Sequence, residues 1–354
     1  MEFYIFVTKA CNLNCKYCSE TDFMKISRNM QNELDVKKTA NFILNNLDKG
    51  RNNVVFYGGE PLLNQTWIKN FIEIAKNNNL TFTLQTNGTM LDKIDNHILK
   101  NLDFIHLSID GNKEFTDKSR GEGVYDKILI NLLEIKPKFR GKLLARMTLI
   151  PENSVFNSMI HLANLGLFDY FYWQLENSSQ KIDYQKTKEY YREEIQKLAD
   201  FWIKNLENGK IIKIVPFHAI TLSLLNKKQH KSYRCGAGTY LVSIDSDGSC
   251  YSCDELLEHQ FKIGSTTNGI QQKQLLSQNY SNFCLNCDIQ KICGGRCFKS
   301  SIKFPTEKFR FYCDMTKILV KELREKIPEI ESFIQNGTIA IKDLKYDCFT
   351  EEIP

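Results

Sequence analysis

A chain of 354 residues has room for about two domains at ~150 residues each. Hydrophobic residues make up 42% and charged residues 25%, ordinary globular usage that excludes a disordered chain. No run reaches the ~18 apolar residues of a membrane helix, and the apolar stretch 3–7 is too short, with no basic residue ahead of it, for a signal peptide. The +5 charge is a mild excess without a block of like sign. It reads as a solvated surface rather than a nucleic-acid footprint, and the chain is expected to be soluble and cytoplasmic.

Apolar runs rich in β-branched and aromatic residues recur at 3–7, 54–57, 81–85, 104–109, 143–150 and 170–175. Amphipathic stretches follow at 35–47, 64–77, 93–102, 125–135, 154–165 and 184–206. Six alternations of strand and helix predict an α/β fold with a parallel sheet and right-handed crossovers. Six units are too few to close an eight-fold barrel, so a partial (β/α)6 barrel over residues 1–212 is expected. Active sites in such folds collect where strands end and loops to helices begin. Residues 213–234 read as a connector holding an apolar element at 214–225. Residues 235–313 are rich in cysteine and glycine with little helical period, and metal ligation is expected to set their shape. Residues 314–354 read as an amphipathic closing helix (314–334) and a tail.

Twelve cysteines stand at 11, 15, 18, 235, 250, 253, 284, 287, 293, 297, 313 and 348. Disulfide density belongs to small secreted chains, so clustered thiols here point to metal ligation. Cys11, Cys15 and Cys18 follow the first strand as Cx3Cx2C. Three thiolates leave one iron of a [4Fe–4S] cubane without a protein ligand, and an open metal position can chelate a small molecule. A zinc site with a distant fourth ligand is the alternative.

Cys11-x3-Cys15-x-Tyr17-Cys18 resembles the cluster loop of the radical S-adenosyl-L-methionine (SAM) superfamily. Gly58-Gly59-Glu60-Pro61 ends the second strand and resembles that family's GGEP loop. Gln85-Thr86-Asn87-Gly88 and Ser108-Ile109-Asp110-Gly111 end the third and fourth strands and resemble its polar strand ends. The resemblance implies a SAM site at Tyr17, Gly58, Gly59, Glu60, Gln85, Asn87, Ser108, Asp110 and Arg146. Glycines let backbone approach a ligand closely, Glu60 suits an ammonium group, and Arg146 suits the SAM carboxylate, with Arg120 as its rival.

Cys235-x12-Gly248-x4-Cys253, then Cys284-x2-Cys287-x5-Cys293-x3-Cys297, then Cys313 resembles the SPASM domain of radical SAM enzymes. By that resemblance residues 235–313 hold two auxiliary [4Fe–4S] clusters, making three in all. Cys235, Cys253 and Cys297, with Cys250 as the provisional fourth, would ligate auxiliary I. Cys284, Cys287, Cys293 and Cys313 would ligate auxiliary II, and Cys348 is expected to be unligated. The three clusters would contribute about −5, which cancels the apparent basicity.

SPASM proteins usually act on peptides or proteins, and two subgroups compete. Gly123-Val124-Tyr125, Ala145-Arg146-Met147-Thr148, Trp173-Gln174-Leu175, Arg234-Cys235-Gly236, Gly294-Gly295-Arg296-Cys297 and Glu352-Ile353-Pro354 resemble archaeal peptide-modifying SPASM proteins. That implies an anaerobic oxidoreductase that forms thioether or carbon–carbon crosslinks, or a related oxidation, in a ribosomally made peptide or protein. The alternative is an anaerobic sulfatase-maturating enzyme, which makes formylglycine and whose catalytic base would be Asp254, directly after Cys253. Asp254 as a turn cap is the plainer reading. A non-catalytic iron–sulfur or zinc protein is the remote alternative. A low-potential donor such as flavodoxin or ferredoxin is implied. The loop starting at residue 11 leaves no space before the barrel for a leader-binding domain, so a separate leader-binding protein is a possible partner. Neither nucleic acid nor membrane is expected.

Overall fold

The computed structural model describes residues 1–18, 34–151, 153–176, 182–226, 230, 232–271, 282–346 and 352–354. Six strands take the expected places: β1 (Glu2–Thr8), β2 (Asn53–Gly58), β3 (Thr81–Thr86), β4 (Phe104–Ser108), β5 (Lys142–Leu149) and β6 (Tyr170–Leu175). The helices between and after them are α1 (Val36–Asn45), α2 (Gln65–Ala75), α3 (Asn96–Asn101), α4 (Lys113–Arg120), α5 (Val124–Ile135), α6 (Val155–Asn164) and α7 (Tyr184–Glu207). Short polar side chains start many of them. Asp35, Asn64, Asp95, Ser154 and Asp183 each accept a bond from an amide in the first turn of the following helix, satisfying a donor that has no intrahelical partner.

The chain divides into two compact units. The first comprises Met1–Ile109, Lys113–Leu144 and Gly236–Gln278, and the second Asp110–Asn112, Ala145–Cys235 and Asn279–Pro354, each within its described residues.

In the first unit β1, β2, β3 and β4 run parallel in that order, with Phe3 opposite Val54 and Val54 opposite Phe82. All seven residues of β1 are buried, which is why it reads as one apolar run rather than as an alternating strand. Helix α2 covers the sheet with Trp67, Ile68, Phe71, Ile72 and Ala75. Phe71 meets Phe56 edge-on at 5.7 Å and stacks on Trp67 at 5.4 Å. Burying a side chain of that size contributes about 1.5–3 kcal/mol.

The other edge of this sheet is built from distant sequence. Strand β7 (Leu241–Ile244) pairs parallel to β1, and β8 (Ser249–Tyr251), β9 (Lys262–Ser265) and β10 (Gly269–Ile270) continue as an antiparallel meander. The compact units therefore group these residues with 1–109, where the sequence boundaries set a barrel apart from a domain at 235–313.

In the second unit β5 and β6 are neighbours. The connector forms helix α8 (Val215–Leu225), which is buried around most of its circumference, as expected of a helix without a polar face. Trp173 of β6 is fully buried against Phe217 of α8, 6.0 Å between ring centres, so it belongs to the core. Its indole N–H donates to the Tyr191 hydroxyl at 3.3 Å. Tyr191→Phe removes that acceptor and is expected to cost about 1–3 kcal/mol, read as a lowered denaturation midpoint. A midpoint matching wild type would show that the indole finds another acceptor.

The cysteine-rich stretch of this unit winds through three short helices, α9 (Asn282–Leu285), α10 (Gln290–Cys293) and α11 (Phe298–Lys303). The expected closing helix starts earlier and is two: α12 (Thr306–Glu325), which carries Cys313, and α13 (Ile327–Gln335). Pro328 near the start of α13 supplies no amide hydrogen and sets the break. No helix among the described residues is long and apolar enough to cross a membrane.

Candidate functional site

In the first unit the cysteine loop begins where β1 ends. Its three thiols are half-buried, and no described cysteine forms a disulfide. The loop is held by its neighbours. Lys16 N–H donates to Ser119 O at 2.9 Å. The Asn87 side-chain amide donates to Asn12 Oδ1 at 2.9 Å and, more weakly, to Cys11 Sγ at 3.9 Å. Asn12 in turn donates to Thr89 Oγ1 at 2.8 Å. Burial pushes the Cys11 thiol above its ordinary value, with Glu60 and Cys15 adding to the rise.

The Gly58-Gly59 turn lies directly against this segment. Gly59 N–H donates to Thr8 O and Glu60 N–H to Ala10 O, each at 2.9 Å. A Cβ on Gly58 would stand 2.2 Å from Thr8 O, and one on Gly59 2.1 Å from Ala10 O. No side chain fits at either position, and Gly58 also adopts φ +125°, a conformation open only to glycine at low cost. The backbone groups of the turn are thus brought up to the cysteine loop.

Glu60 is placed differently from the sequence expectation of a carboxylate facing an ammonium. It is fully buried. Its oxygens accept from Leu62 N at 3.1 Å, Thr86 Oγ1 at 2.8 and 2.9 Å and Asn87 N at 2.9 Å. Burial raises its pKa to about 7 against the pull of those bonds. The carboxylate therefore ties the end of β2 to the end of β3 and so aims Asn87 at the cysteine loop.

Gln85 and Ser108 sit half-buried near the ends of β3 and β4. Arg120 is 7% exposed and lies over the Tyr17 ring at 5.5 Å, so of the two rival arginines it is the one the first unit places beside the loop. Asp110 and Arg146 belong to the second unit. Asp110 Oδ1 accepts from Thr148 N at 2.8 Å. Arg146 donates to Gln174 Oε1 at 2.6 Å and lies over Tyr172 at 5.7 Å. Asn12 and Thr89 were missed from sequence, although both lie inside or beside quoted motifs. The pair Lys9 Nζ–Asp245 Oδ1, 2.7 Å long with both side chains about nine-tenths buried, bridges residues too far apart in sequence to leave a signal.

Cys250 and Cys253 are in the first unit. Cys250 is wholly buried on β8, its thiol 3.9 Å from Gly248 O and pushed up to about 12 by burial. The Cys253 thiol lies 4.0 Å from Asp254 Oδ1, and a turn covers residues 254–255.

In the second unit Cys297 caps α11, its sulfur accepting from Ser300 N at 3.5 Å. Tyr233 is buried, and the thiols of Cys284, Cys297 and Cys235 add to burial in pushing its hydroxyl up to about 12. Burial pushes Cys293 up to about 12, with Cys313 and Cys284 adding, and Cys313 up to about 11, with Cys284 and Cys287 adding. Cys293 and Cys313 are thus close enough to Cys284, and Cys313 to Cys287, for their charges to interact. Cys348 lies outside the described residues.

Among the described residues no three Cys, His, Asp or Glu side chains converge tightly enough to grip a single ion. A cubane is reached one corner at a time, so its thiolates stand further apart than the ligands of one ion. Three thiols on a braced loop, none in a disulfide and met by backbone that no side chain obstructs, fit a three-thiolate cluster with a small chelating ligand. Four thiols linked by such charge interactions, Cys284, Cys287, Cys293 and Cys313, fit a closed one.

The radical SAM superfamily profile matches residues 5–163. Over that segment the chain is similar to the radical SAM superfamily, whose cofactors are SAM and a [4Fe–4S] cluster. A cysteine-type anaerobic sulfatase-maturating enzyme of Clostridium novyi (strain NT) is 26% identical over 329 residues, 81% of this chain and 84% of its own. The solved structure of native anSMEcpe with bound AdoMet and Cp18Cys peptide shares the fold at TM-score 0.76 and 21% identity, covering 94% of this chain and 99% of that one. Streptococcus suis SuiB bound to precursor peptide SuiA follows at TM-score 0.61 and 17% identity, covering 87% and 74%. These likenesses bear out the expected fold class, a partial (β/α)6 barrel with a cysteine-rich region after it.

Proposed function

We propose that this radical SAM enzyme modifies a ribosomally made peptide or protein by forming a thioether or carbon–carbon bond, or by a related oxidation, and uses three [4Fe–4S] clusters to do so. The observation that carries the reading is the Cys11–Cys18 loop with Gly58-Gly59 pressed against it. Cys11, Cys15 and Cys18 would hold the SAM cluster, and the Gly58–Gly59 backbone, Tyr17 and Asn87 would hold SAM. Bound together, the two cofactors supply a 5′-deoxyadenosyl radical that takes a hydrogen atom from a substrate carbon. Glu60 keeps the strand ends in register, and Asn87 donates to the cluster ligand Cys11. The quartet Cys284, Cys287, Cys293 and Cys313 would hold auxiliary II, and Cys235, Cys250, Cys253 and Cys297 auxiliary I.

A pocket in the second unit supports a peptide substrate. It opens where β5 and β6 end, lined by Leu149, Asn153, Leu175, Tyr191, Tyr312 and Met315 among others. Its walls suit an aliphatic side chain. Asn153 is 3% exposed, and both its amide nitrogen and its amide oxygen are buried without a hydrogen-bond partner. A carboxamide with one free donor and one free acceptor matches the two polar groups of a peptide bond. SuiB, solved with its precursor peptide, adds a fold-level parallel. A flavodoxin or ferredoxin would supply electrons, and a separate protein would present any leader peptide.

Formylglycine formation is the second reading. It is favoured by Asp254 beside the Cys253 thiol and by the Clostridium relative. Co-expression with a candidate peptide and mass spectrometry separates the two. Crosslinking removes two hydrogens and keeps the sulfur, whereas formylglycine from cysteine also exchanges sulfur for oxygen. A peptide of unchanged mass, with SAM cleaved, would sink both.

Cys287→Ala tests the auxiliary clusters. Iron is expected to fall from about twelve to about eight per chain, with deoxyadenosine still released but no longer coupled to peptide modification. Unchanged iron would remove auxiliary II from the reading.

A further inference from the structure

The auxiliary II quartet has two arginines beside it, and they are not equivalent. Arg234 is satisfied on every side. It pairs with Glu352 and donates to Ile292 O at 2.7 Å and to Ser223 Oγ at 2.6 Å. Its charge is neutralised by the carboxylate.

Arg296 lies between Cys293 and Cys297 and has no carboxylate partner among the described residues. It is the one non-glycine residue among them with positive φ, at 59°. Left-handed backbone costs a branched-at-Cβ or long side chain of order 1 kcal/mol, and such strain persists where something else fixes the conformation. Here the backbone turns the guanidinium over the Tyr312 ring at 4.7 Å, next in sequence to Cys313. Nη1 reaches Ser300 Oγ at 3.4 Å, and Nε is buried without a partner. Arg296 follows Cys293 by three residues, and the Tyr312 ring beneath its guanidinium immediately precedes Cys313, so the charge stands beside two of the four ligands.

We propose that Arg296 is a positioning residue for electron transfer, a strained and unneutralised cation that stabilises the reduced state of the cluster held by Cys284, Cys287, Cys293 and Cys313. The inference rests on the auxiliary cluster reading above. A four-thiolate [4Fe–4S]2+ cluster carries a net charge of about −2, and one electron takes it to about −3. A fixed cation beside two of the ligands favours the more negative state, because Coulomb attraction grows with the charge it meets. The Tyr312 face keeps the guanidinium in place through its π cloud. The cluster would then accept an electron from a reducing substrate-derived radical more readily than a cluster facing neutral surroundings.

Redox titration of the anaerobically reconstituted holoprotein, with dithionite as reductant and EPR as readout, tests this without any peptide. The auxiliary II signal is the component lost, with about four irons, in Cys293→Ser. In Arg296→Gln the ratio of reduced to oxidised cluster, at the potential where wild type is half reduced, is expected to fall about tenfold, which is 59 mV for a one-electron couple. Arg296→Gly relieves the backbone strain but deletes the charge, and is expected to fall as far. Arg296→Lys is expected to keep most of the wild-type ratio. Lys321→Gln, which removes an exposed cation of α12, is the control and should leave the ratio unchanged. If Gln and Gly variants with full iron content titrate with wild type, or if Lys321→Gln moves as far as they do, the proposal fails. If Cys293→Ser loses no iron, the proposal fails together with the cluster reading beneath it.

Discussion

Cys15→Ala is expected to abolish release of 5′-deoxyadenosine from SAM by the dithionite-reduced protein, with loss of at least a hundredfold if one thiolate of three is removed from an open cluster. The loop offers no spare ligand. Cys11, Cys15 and Cys18 are the only thiols in the first 234 residues, and the braces around them are amides and hydroxyls that cannot replace a thiolate. The fold should survive. Cys15 is half-buried on a loop, outside the β1 core, so the denaturation midpoint of the apoprotein should stay within the ±0.5 kcal/mol typical of such sites. Iron should fall by about four atoms per chain while the auxiliary clusters remain. Undiminished deoxyadenosine release in this variant would refute the assignment of the loop to the catalytic cluster.

Glu60 carries the second large effect, and its signature is a pH dependence. Its carboxyl is raised from 4.5 to about 7 by burial in the folded chain, so the folded state holds the proton more tightly than the unfolded state does. The stability this contributes is complete below pH 4.5 and is lost as pH rises through about 7. A rise of that size corresponds to about 3 kcal/mol. Glu60→Gln has no proton to lose. The wild-type midpoint is therefore expected to fall relative to that of Glu60→Gln by about 6–12 °C between about pH 5 and pH 8, taking 2–4 °C per kcal/mol. Glu60→Ala leaves the amides of Leu62 and Asn87 and the Thr86 hydroxyl without their acceptor, at about 1–3 kcal/mol for each buried donor, and should be the least stable of the three. Parallel midpoint curves for wild type and Glu60→Gln would show that the carboxyl stays ionised in the fold.

The repeating half of the fold was legible because its determinants are local. A strand buried on both faces shows as an unbroken run such as Phe3–Val7, and a helix announces its start with a cap such as Asp35 or Ser154. The cysteine groups could be proposed because the spacing of thiols along the chain limits which of them one cluster can reach. What lay beyond reach is what depends on tertiary placement. Glu60 was expected to face a ligand, and no local pattern says that Thr86 and Asn87, a strand away, take its oxygens instead. Arg146 was the expected partner of the SAM carboxylate with Arg120 as its rival, and no local pattern says that Arg120 is the one lying over Tyr17. The pairing of Phe3 with Val242 joins segments more than two hundred residues apart, and nothing in either announces the other. The closing helix was placed but not its break, although Pro328 was in plain view.

That pairing has a consequence for anyone who would shorten or recombine the protein. A cut near residue 213, where the sequence suggests a domain boundary, takes away β7 and with it the hydrogen-bonding partner of Glu2–Ile5. The remaining barrel would expose one side of β1 as a flat, apolar edge, the kind of template on which chains stack into aggregates. The cysteine-rich segment is therefore not an exchangeable cassette. A chimera that keeps the native cysteine loop must also keep residues 241–244, or supply another strand in their register.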